Sequence, residues 1–149
     1  MKVAVLMGSA NDRSKMAPAL EMLGEFGVTA EEHVMSAHRT PDAVAAFARV
    51  ARDDGFAAVI CGAGMAAALP GAVAAHTTLP VVGVPLSGGA LNGVDALYAT
   101  VQMPRGVPVA TVAVDGAANA ALLVIEMLAI TDASLVERLA AYRATWLTG

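Results

Sequence analysis

The sequence predicts a doubly wound α/β fold, in which one parallel sheet lies between two layers of helices. Five short apolar segments alternate along the chain with segments whose apolar residues recur at helical spacing, and this alternation is typical of parallel sheets. Most of the strand segments are apolar at nearly every position, as expected for strands covered on both faces. The 149 residues fit one domain, so we assign residues 1–149 to a single unit.

The first strand and helix are bounded by clear signals. Lys2–Met7 is a continuous apolar run, and the turn residues after it lead into a helix that ends near Phe26, before Gly27. Pro18 lies inside this helix, where proline costs about 3 kcal/mol or bends the axis. Val28–Met35 reads as the second strand, and its lower apolar content predicts a position at the edge of the sheet.

A second helix is predicted from Pro41 to about Asp54. Thr40 is a favourable N-cap, and proline suits the first helical position because its missing N–H would have no partner there. The apolar stripe of this helix is formed by Val44, Phe47 and Val50.

The middle of the chain continues the alternation. The third strand is predicted over Phe56–Cys61, after which Gly62-Ala63-Gly64 turns the chain into a helix of small residues. The elements that follow are a helix near Ala66–His76, a strand over Pro80–Val84, a glycine-rich loop over Pro85–Gly93, a short helix over Val94–Gln102 and a strand over Val107–Val114. Crossovers between parallel strands are right-handed, and the best match is a flavodoxin-like sheet of five strands in the order 2-1-3-4-5.

The last third of the chain indicates contacts beyond one subunit. Ala117–Ile130 is a helix with apolar residues on nearly every face, a pattern that predicts burial all round. Asp132 caps a final helix, which could fold back on its own sheet or dock on a neighbouring subunit. Hydrophobic residues make up 57% of the chain, more than is usual for one small domain, so we favour docking and a homo-oligomer. The stripe of the final helix consists of Leu135, Leu139, Tyr142 and Trp146.

Composition excludes two classes of partner. The stretch from Ala57 to Ala75 is apolar but is interrupted by glycine and proline, unlike a membrane-spanning helix. Met1-Lys2-Val3 leads directly into a strand, so we expect no signal peptide and a cytoplasmic location. A net charge of −4 and an aromatic content of 4% argue against nucleic-acid binding.

The cysteine and the histidines argue against a disulfide and a metal centre. Cys61 is the only cysteine, and its place at the end of an apolar strand predicts a buried side chain rather than a nucleophile. His33 lies within a strand and His76 ends a helix, so both are predicted to be structural. Three scattered histidines do not form a convincing metal site, so no metal is expected.

Candidate binding residues lie in the loop after the first strand. Ligands of open parallel sheets bind at the carboxyl ends of the strands. Ser9, Asn11 and Asp12 stand at a helix start, where free N–H groups and the helix dipole favour an anion. Asp12 would repel a phosphate and better suits ribose hydroxyls. A simple helix cap formed by Asn11 or Asp12 would explain the same residues.

The loop after the second strand is the stronger candidate. Ser36, His38 and Arg39 stand together before the Thr40-Pro41 helix start. Arginine offers a planar fork for phosphate, and histidine titrates close to working pH. The setting of His38, at a strand's carboxyl end between a serine and an arginine, predicts an acid–base residue.

Two glycine-rich segments are compatible with a nearby ligand. Gly62-Ala63-Gly64 would let the backbone approach a planar ligand, although tight packing of a helix on the sheet would use the same residues. Ser87-Gly88-Gly89 could form a mobile flap over the site.

The run Ser36-Ala37-His38-Arg39-Thr40-Pro41 resembles the signature of the class I 5-(carboxyamino)imidazole ribonucleotide mutases. The similarity extends in the same order over nearly the whole chain. The supporting stretches are Met7-Gly8-Ser9 with Asp12, Gly62-Ala63-Gly64, Leu69-Pro70-Gly71, Gly93-Val94-Asp95 with Leu97-Tyr98, residues 101–109, and Ala117-Ala118-Asn119-Ala120-Ala121.

The resemblance implies a flavodoxin-like subunit of an octamer with active sites at subunit junctions. It implies a step of purine (IMP) biosynthesis in which a carboxylate moves from the exocyclic nitrogen to a ring carbon of the imidazole, without metal, nucleotide cofactor or ATP. His38 would be the general acid–base. The resemblance also assigns Ser9, Ser36 and Arg39 to the phosphate, Asp12 to the ribose, and the backbone of Ala63 and Gly64 to the base.

The chain departs from the family's usual pattern in three places. Asn11 and Arg13 stand where the family usually has serine and tryptophan. Met65-Ala66-Ala67-Ala68 replaces glycine-alanine-alanine-histidine, so a second active-site histidine is missing, and the segment before Ala117 is shorter.

Other interpretations remain open beside the mutase. One is a carboxylase that uses free carbon dioxide, like the class II relatives, but those generally carry lysine where this chain has Arg39. The segment from Gly64 to Pro70 also resembles, more faintly, the carboxylase domain of nickel-pincer cofactor synthesis. A nucleotide-binding module that lost catalysis with the second histidine is the non-enzymatic alternative.

Overall fold

The computed structural model describes residues 1–147, which form alternating strands and helices. The strands are β1 (Lys2–Met7), β2 (Thr29–Val34), β3 (Phe56–Gly64), β4 (Val81–Leu86) and β5 (Ala110–Thr111). The helices are α1 (Arg13–Glu25), α2 (Pro41–Val50), α3 (Leu69–Ala74), α4 (Val94–Val101), α5 (Ala117–Ala129) and α6 (Ala133–Ala144). Single 3-10 turns precede α1 (Ala10–Asp12) and follow α6 (Thr145–Leu147).

The five strands form one parallel sheet in the order β2-β1-β3-β4-β5, as predicted. The edge position of β2 is also confirmed, and its residues are half-buried or exposed. The central strands β1 and β4 are buried along nearly their whole length, because helices cover both of their faces.

Each face of the sheet carries its own core. Val3, Val5 and Met7 of β1 point to the face covered by α1 and α5. The alternate residues Ala4 and Leu6 point to the opposite face, which packs on α2, α3 and α4. This alternation follows from the two-residue period of a strand, and it places the layers of helices as predicted.

The predicted end of the third strand was wrong. Gly62, Ala63 and Gly64 do not turn the chain but continue β3, paired with Val84, Pro85 and Leu86 of β4. The helix that follows is correspondingly shorter than the predicted Ala66–His76 and begins only at Leu69. The sheet is tightly covered here, since a Cβ on Gly62 would lie 2.3 Å from the Met16 sulfur.

The length of β5 and the buried side of α2 also differ from the prediction. β5 comprises two residues of the predicted Val107–Val114; Pro108 has no N–H to donate to a ladder, which favours a short edge strand. On α2 the buried side is formed by Val44 and Ala48, whereas Val50 of the predicted stripe is 46% exposed.

The two C-terminal helices pack on the α1 side of their own chain. α5 buries one face, including Val124 and Ile125, but Ile130 just beyond it is 82% exposed, so burial all round is not reached in the single subunit. α6 folds back on this core, which is the alternative that the sequence analysis favoured less. Leu135 is buried and Leu139 and Tyr142 pack beside it, and the Arg138 guanidinium donates to the Phe26 carbonyl at 2.8 Å.

Within residues 1–147, every helix is too short or too polar to cross a bilayer.

Candidate active site

The loop after β1 begins α1 and presents the first group of site residues. The Ser9 hydroxyl accepts the N–H of Asn11 at 3.2 Å, and the Ser9 carbonyl accepts the N–H of Asp12 at 3.1 Å. Ser9, rather than Asn11 or Asp12, therefore caps the helical turn. Asn11 and Asp12 are left to face the space beyond the sheet.

The pKa of the Asp12 carboxyl is raised above its ordinary value of 3.8. Burial is the main cause, because a desolvated carboxylate is less stable than one in water. A backbone hydrogen bond at Ser9 and the charge of Lys15 act in the opposite direction without cancelling it. Asp12 is thus a partly desolvated acid at the mouth of a cleft, suited to accept hydrogen bonds from hydroxyl groups.

Replacing Asp12 with asparagine is expected to increase stability at pH 7. The folded-state pKa is raised, so the contribution of this carboxyl to stability is present below its unfolded pKa and is lost as pH rises through the folded value. At neutral pH the partly buried charge of Asp12 therefore lowers the stability of the fold. The urea midpoint of Asp12→Asn should exceed that of the parent at pH 7 and converge with it toward pH 3. A variant less stable than the parent at pH 7 would contradict this assignment.

The loop after β2 is closed by its own hydroxyl groups. The Thr40 hydroxyl accepts the N–H of Ser36 at 3.0 Å and donates to the Ser36 carbonyl at 3.1 Å. The Ser36 hydroxyl in turn accepts the N–H of Arg39 at 3.2 Å. Thr40 occupies the predicted N-cap position of α2, but its hydroxyl binds Ser36 instead of the helix. The resulting tight loop holds His38 and Arg39 at the rim, with both side chains exposed.

The end of β3 forms the floor between these two loops. Beyond Gly64, Met65 has φ +49° and Ala67 has φ +37°, in the left-handed region that costs an L-residue about 1–2 kcal/mol. The chain turns sharply here before α3. This turn brings Ala67, Ala68 and Leu69 beside the first two loops.

These segments enclose one cleft of about 350 Å³, which we call the strand-end cleft. It brings together all seven residues predicted for the site: Ser9, Asp12, Ser36, His38, Arg39, Ala63 and Gly64. The remaining lining residues are Gly8, Asn11, Ala37, Met65, Ala67, Ala68 and Leu69. The first two loops supply hydroxyl, carboxylate, imidazole and guanidinium groups, and the β3–α3 turn supplies an apolar wall.

Sequence reasoning missed part of this wall. Ala37 and Leu69 were noted only as members of motifs, because an alanine or leucine carries no chemical signal of its own. Their neighbours in the chain were the available signal, since each adjoins a predicted site residue or a glycine-rich turn.

The other histidines and the cysteine lie away from this cleft. His33 packs against Phe47, with ring centroids 4.8 Å apart, and His76 is exposed beside a hollow formed with Arg49 and Arg52. That hollow is about 470 Å³, larger than the strand-end cleft, but it adjoins Thr77 and Thr78 before β4, at the amino ends of the strands. Cys61 is fully buried in β3, and burial raises the pKa of its thiol far above the usual range. It is a core residue, as predicted.

A metal centre would need several acidic, histidine or cysteine side chains close together. Across residues 1–147, no three His, Cys, Asp or Glu side chains lie close enough to hold a metal ion.

The fold and the cleft define a flavodoxin-like α/β protein whose candidate site lies at the carboxyl ends of the first three strands. The sequence profile of the family described as AIR carboxylase matches residues 2–147. The chain belongs to this family.

Several relatives cover almost the whole chain. A protein of Saccharolobus solfataricus named N5-carboxyaminoimidazole ribonucleotide mutase is 52% identical over 138 residues, which cover 93% of this chain and 87% of the relative. The protein of the same name from Mycobacterium tuberculosis H37Rv is 51% identical over 142 residues, with 95% and 82% covered. A phosphoribosylaminoimidazole carboxylase of Schizosaccharomyces pombe is 52% identical over 134 residues, which cover 90% of this chain but only 24% of that longer protein.

The fold is shared with solved structures. The crystal structure of Treponema denticola PurE superposes with a TM-score of 0.89 at 26% identity, covering 98% of this chain and 91% of that one.

Proposed function

We propose that this protein is a 5-(carboxyamino)imidazole ribonucleotide mutase of purine biosynthesis. It moves the carboxylate of its substrate from the exocyclic nitrogen to the neighbouring ring carbon and yields 4-carboxy-5-aminoimidazole ribonucleotide. The observation that carries the proposal is the strand-end cleft, where an imidazole, a guanidinium and hydroxyl groups face an apolar wall. Full-length relatives of this name, about half identical to the chain, support the same activity.

The polar side of the cleft suits a phosphorylated sugar. Arg39, in the loop just before α2, offers a planar, permanently charged fork for phosphate. The hydroxyls of Ser9 and Ser36 stand at the two loops beside it, near the N-termini of α1 and α2, where helix dipoles favour an anion. The Asp12 carboxylate would repel a phosphate, so it accepts hydrogen bonds from the ribose hydroxyls instead.

The apolar side suits the imidazole ring and the carbon dioxide released from it. The backbone of Ala63 and Gly64 forms the floor, and Ala67 and Ala68 form the wall beside it. Small side chains leave space for a flat ring. An apolar wall also keeps carbon dioxide next to the ring carbon, and such confinement can lower a barrier by about 7–11 kcal/mol relative to free reactants.

His38 exchanges the proton in both half-reactions. The protonated imidazole donates to the exocyclic nitrogen as the carbon–nitrogen bond of the carbamate breaks and carbon dioxide leaves. The ring carbon then attacks the carbon dioxide, and the neutral imidazole removes the proton from that carbon. Each step returns His38 to the state that the other step needs. Among residues 1–147, His38 is the only histidine that lines the cleft. Ala68 stands where the family usually has a second histidine, so His38 carries out both proton transfers.

The test of this function is turnover of the carbamate ribonucleotide without added bicarbonate. We expect the purified chain to form the carboxylated ring product under these conditions. The relatives named as carboxylases make the alternative reaction worth testing in parallel. Product formed only from aminoimidazole ribonucleotide with bicarbonate would instead show a carboxylase.

Arg39→Ala is expected to raise KM by about tenfold or more, with a smaller change in kcat. A charge-assisted contact to phosphate is made equally in the ground state and the transition state, so its loss weakens binding rather than chemistry. Arg49→Ala is the matched control, because Arg49 is an exposed arginine near the other end of α2 and lines the hollow at the amino ends of the strands. Steady-state kinetics of both variants decide the matter. An equal rise in KM in the two variants would show that Arg39 does not bind the phosphate.

The proposal includes a cytoplasmic homo-octamer. An exposed apolar stripe supports assembly. Val94, Tyr98 and Val101 of α4 are 49%, 61% and 48% exposed and recur at spacings of four and three, and Leu91 in the turn before the helix is 61% exposed. Such a stripe is typical of a face that packs on another helix. Trp146, 63% exposed at the end of the chain's last stripe, is a second contact. Native mass spectrometry of the parent and of Tyr98→Asp tests this, and an unchanged oligomer in the variant would exclude the α4 face.

A further inference from the structure

Three side chains outside the strand-end cleft join at the base of the glycine-rich loop. Lys15 comes from α1, Ser87 follows β4 directly, and Asp115 precedes α5. The Lys15 ammonium donates to the Ser87 hydroxyl at 2.8 Å and also to the Ser87 carbonyl oxygen. The Ser87 N–H donates to the Asp115 carboxylate at 2.9 Å. Both backbone groups of Ser87 are therefore bound by charged side chains, which make stronger hydrogen bonds than neutral ones.

The loop that begins at Ser87 needs such an anchor. Gly88 has φ +143° and Gly89 has φ +62°, conformations that glycine adopts easily and does not fix. The other end of the loop is packed against its start, since a Cβ on Gly93 would lie 3.1 Å from the Ser87 Cα. Ser87 is thus the point where the loop is tied to the rest of the fold.

Asp115 is held in a costly conformation to reach this point. Its φ of +58° lies in the left-handed region, and its own N–H donates to the Pro85 carbonyl at 2.8 Å. Partial desolvation raises the pKa of the Asp115 carboxyl, but the hydrogen bonding to Ser87 and the charge of Lys15 outweigh it and hold this pKa below its usual range. The carboxylate therefore stays charged and bound at neutral pH.

The anchored loop reaches the strand-end cleft through Met65. A Cβ on Gly89 would lie 3.2 Å from the Met65 sulfur, so the loop backbone packs on this side chain, which lines the cleft. Lys15 also acts on the opposite side of the cleft, where its charge stabilises the Asp12 carboxylate. Lys15 is therefore linked to Met65 through the loop and to Asp12 through its charge.

We propose that Lys15, Ser87 and Asp115 form a positioning cluster that holds the glycine-rich loop against Met65 and thereby sets the affinity of the cleft for the ribonucleotide. Lys15 and Asp115 touch no reacting atom. Asp115 acts through the loop, and Lys15 acts through the loop and through its charge beside Asp12. This inference rests on the proposed function for the identity of the ligand. The anchoring of the loop is independent of it.

The test compares Lys15→Met with Lys15→Arg. Methionine keeps a long apolar side chain and removes the donors, whereas arginine keeps the charge and the donors. We expect Lys15→Met to weaken binding of the product ribonucleotide about tenfold, the usual scale for one charge-assisted hydrogen bond, with kcat within about threefold of the parent. Hydrogen exchange of residues 88–93 should accelerate, and Lys15→Arg should restore both measurements at least in part. Circular dichroism verifies that each variant is folded.

The control is Lys2→Met, which removes a lysine paired with Glu31 at the opposite end of β1. Faster loop exchange with unchanged ribonucleotide affinity in Lys15→Met would overturn the role in binding. Unchanged loop exchange would overturn the anchor itself. Because loop exchange and product binding are measured without turnover, a parent chain that fails to catalyse the mutase reaction refutes the proposed function and leaves this comparison decisive. Should Lys15→Met fail to fold, Asp115→Asn takes its place with the same expected outcomes.

Discussion

Substitution of His38 by asparagine is expected to lower kcat about 10²–10⁴-fold, the usual contribution of a general acid–base residue. Asparagine keeps a polar side chain of similar size at the rim, but it neither donates nor accepts a proton at neutral pH. Affinity for the ribonucleotide should stay within about threefold, since the phosphate and ribose contacts come from other residues. The combination of lost turnover and retained binding identifies a residue that acts in the transition state.

The control for this experiment is His76→Asn. His76 is exposed and lies beside the hollow at the amino ends of the strands, so its replacement should leave turnover unchanged. If His38→Asn turns over substrate as fast as the parent, His38 is not the general acid–base. A parent without turnover that binds the ribonucleotide as tightly as His38→Asn would favour the binding-module interpretation.

Replacement of Gly83 by alanine is expected to destabilise the core. Gly83 lies in the middle of β4, and an added Cβ would stand 2.3 Å from Cγ2 of Thr100, 3.0 Å from Cγ1 of Val109 and 3.3 Å from Cβ of Pro70. Thr100 is fully buried, and its hydroxyl is bound to the Ala96 carbonyl at 2.7 Å, so it has little room to move. Overpacking of this kind costs about 1–3 kcal/mol.

Urea unfolding measures this cost, and a second substitution tests its cause. Thr100→Ser removes the methyl group that meets the new Cβ and keeps the hydroxyl. In the double variant the loss should therefore be smaller than the sum of the single losses, with a coupling of about 0.5 kcal/mol or more. Additive losses would show that the strain arises elsewhere.

The regular part of this fold could be predicted from local patterns. Lys2–Met7 forms β1 with the predicted bounds, because an apolar run after a lysine has little alternative to a buried strand. The strand order also followed, since handedness and alternation leave few arrangements. The rule that ligands bind at strand ends predicts that His38 and Asp12 lie at the same edge of the sheet.

The irregular parts depended on contacts between distant segments. Gly62-Ala63-Gly64 reads locally as a turn and becomes strand because β4 lies beside it. Met65 adopts a positive φ, which favours glycine, and no local pattern predicts this for methionine. Lys15, Ser87 and Asp115 are separated by 72 and 28 residues, so their cluster exists only in the folded chain.

All residues that line the strand-end cleft lie between Gly8 and Leu69, in the first half of the polypeptide. During translation, all of these cleft residues are therefore synthesised before β4 and α5. β3 pairs with β4, and α1 packs against α5, so the early half cannot bury its apolar faces until the later half arrives. Folding of the site is consequently a late event in synthesis, although its sequence is read first.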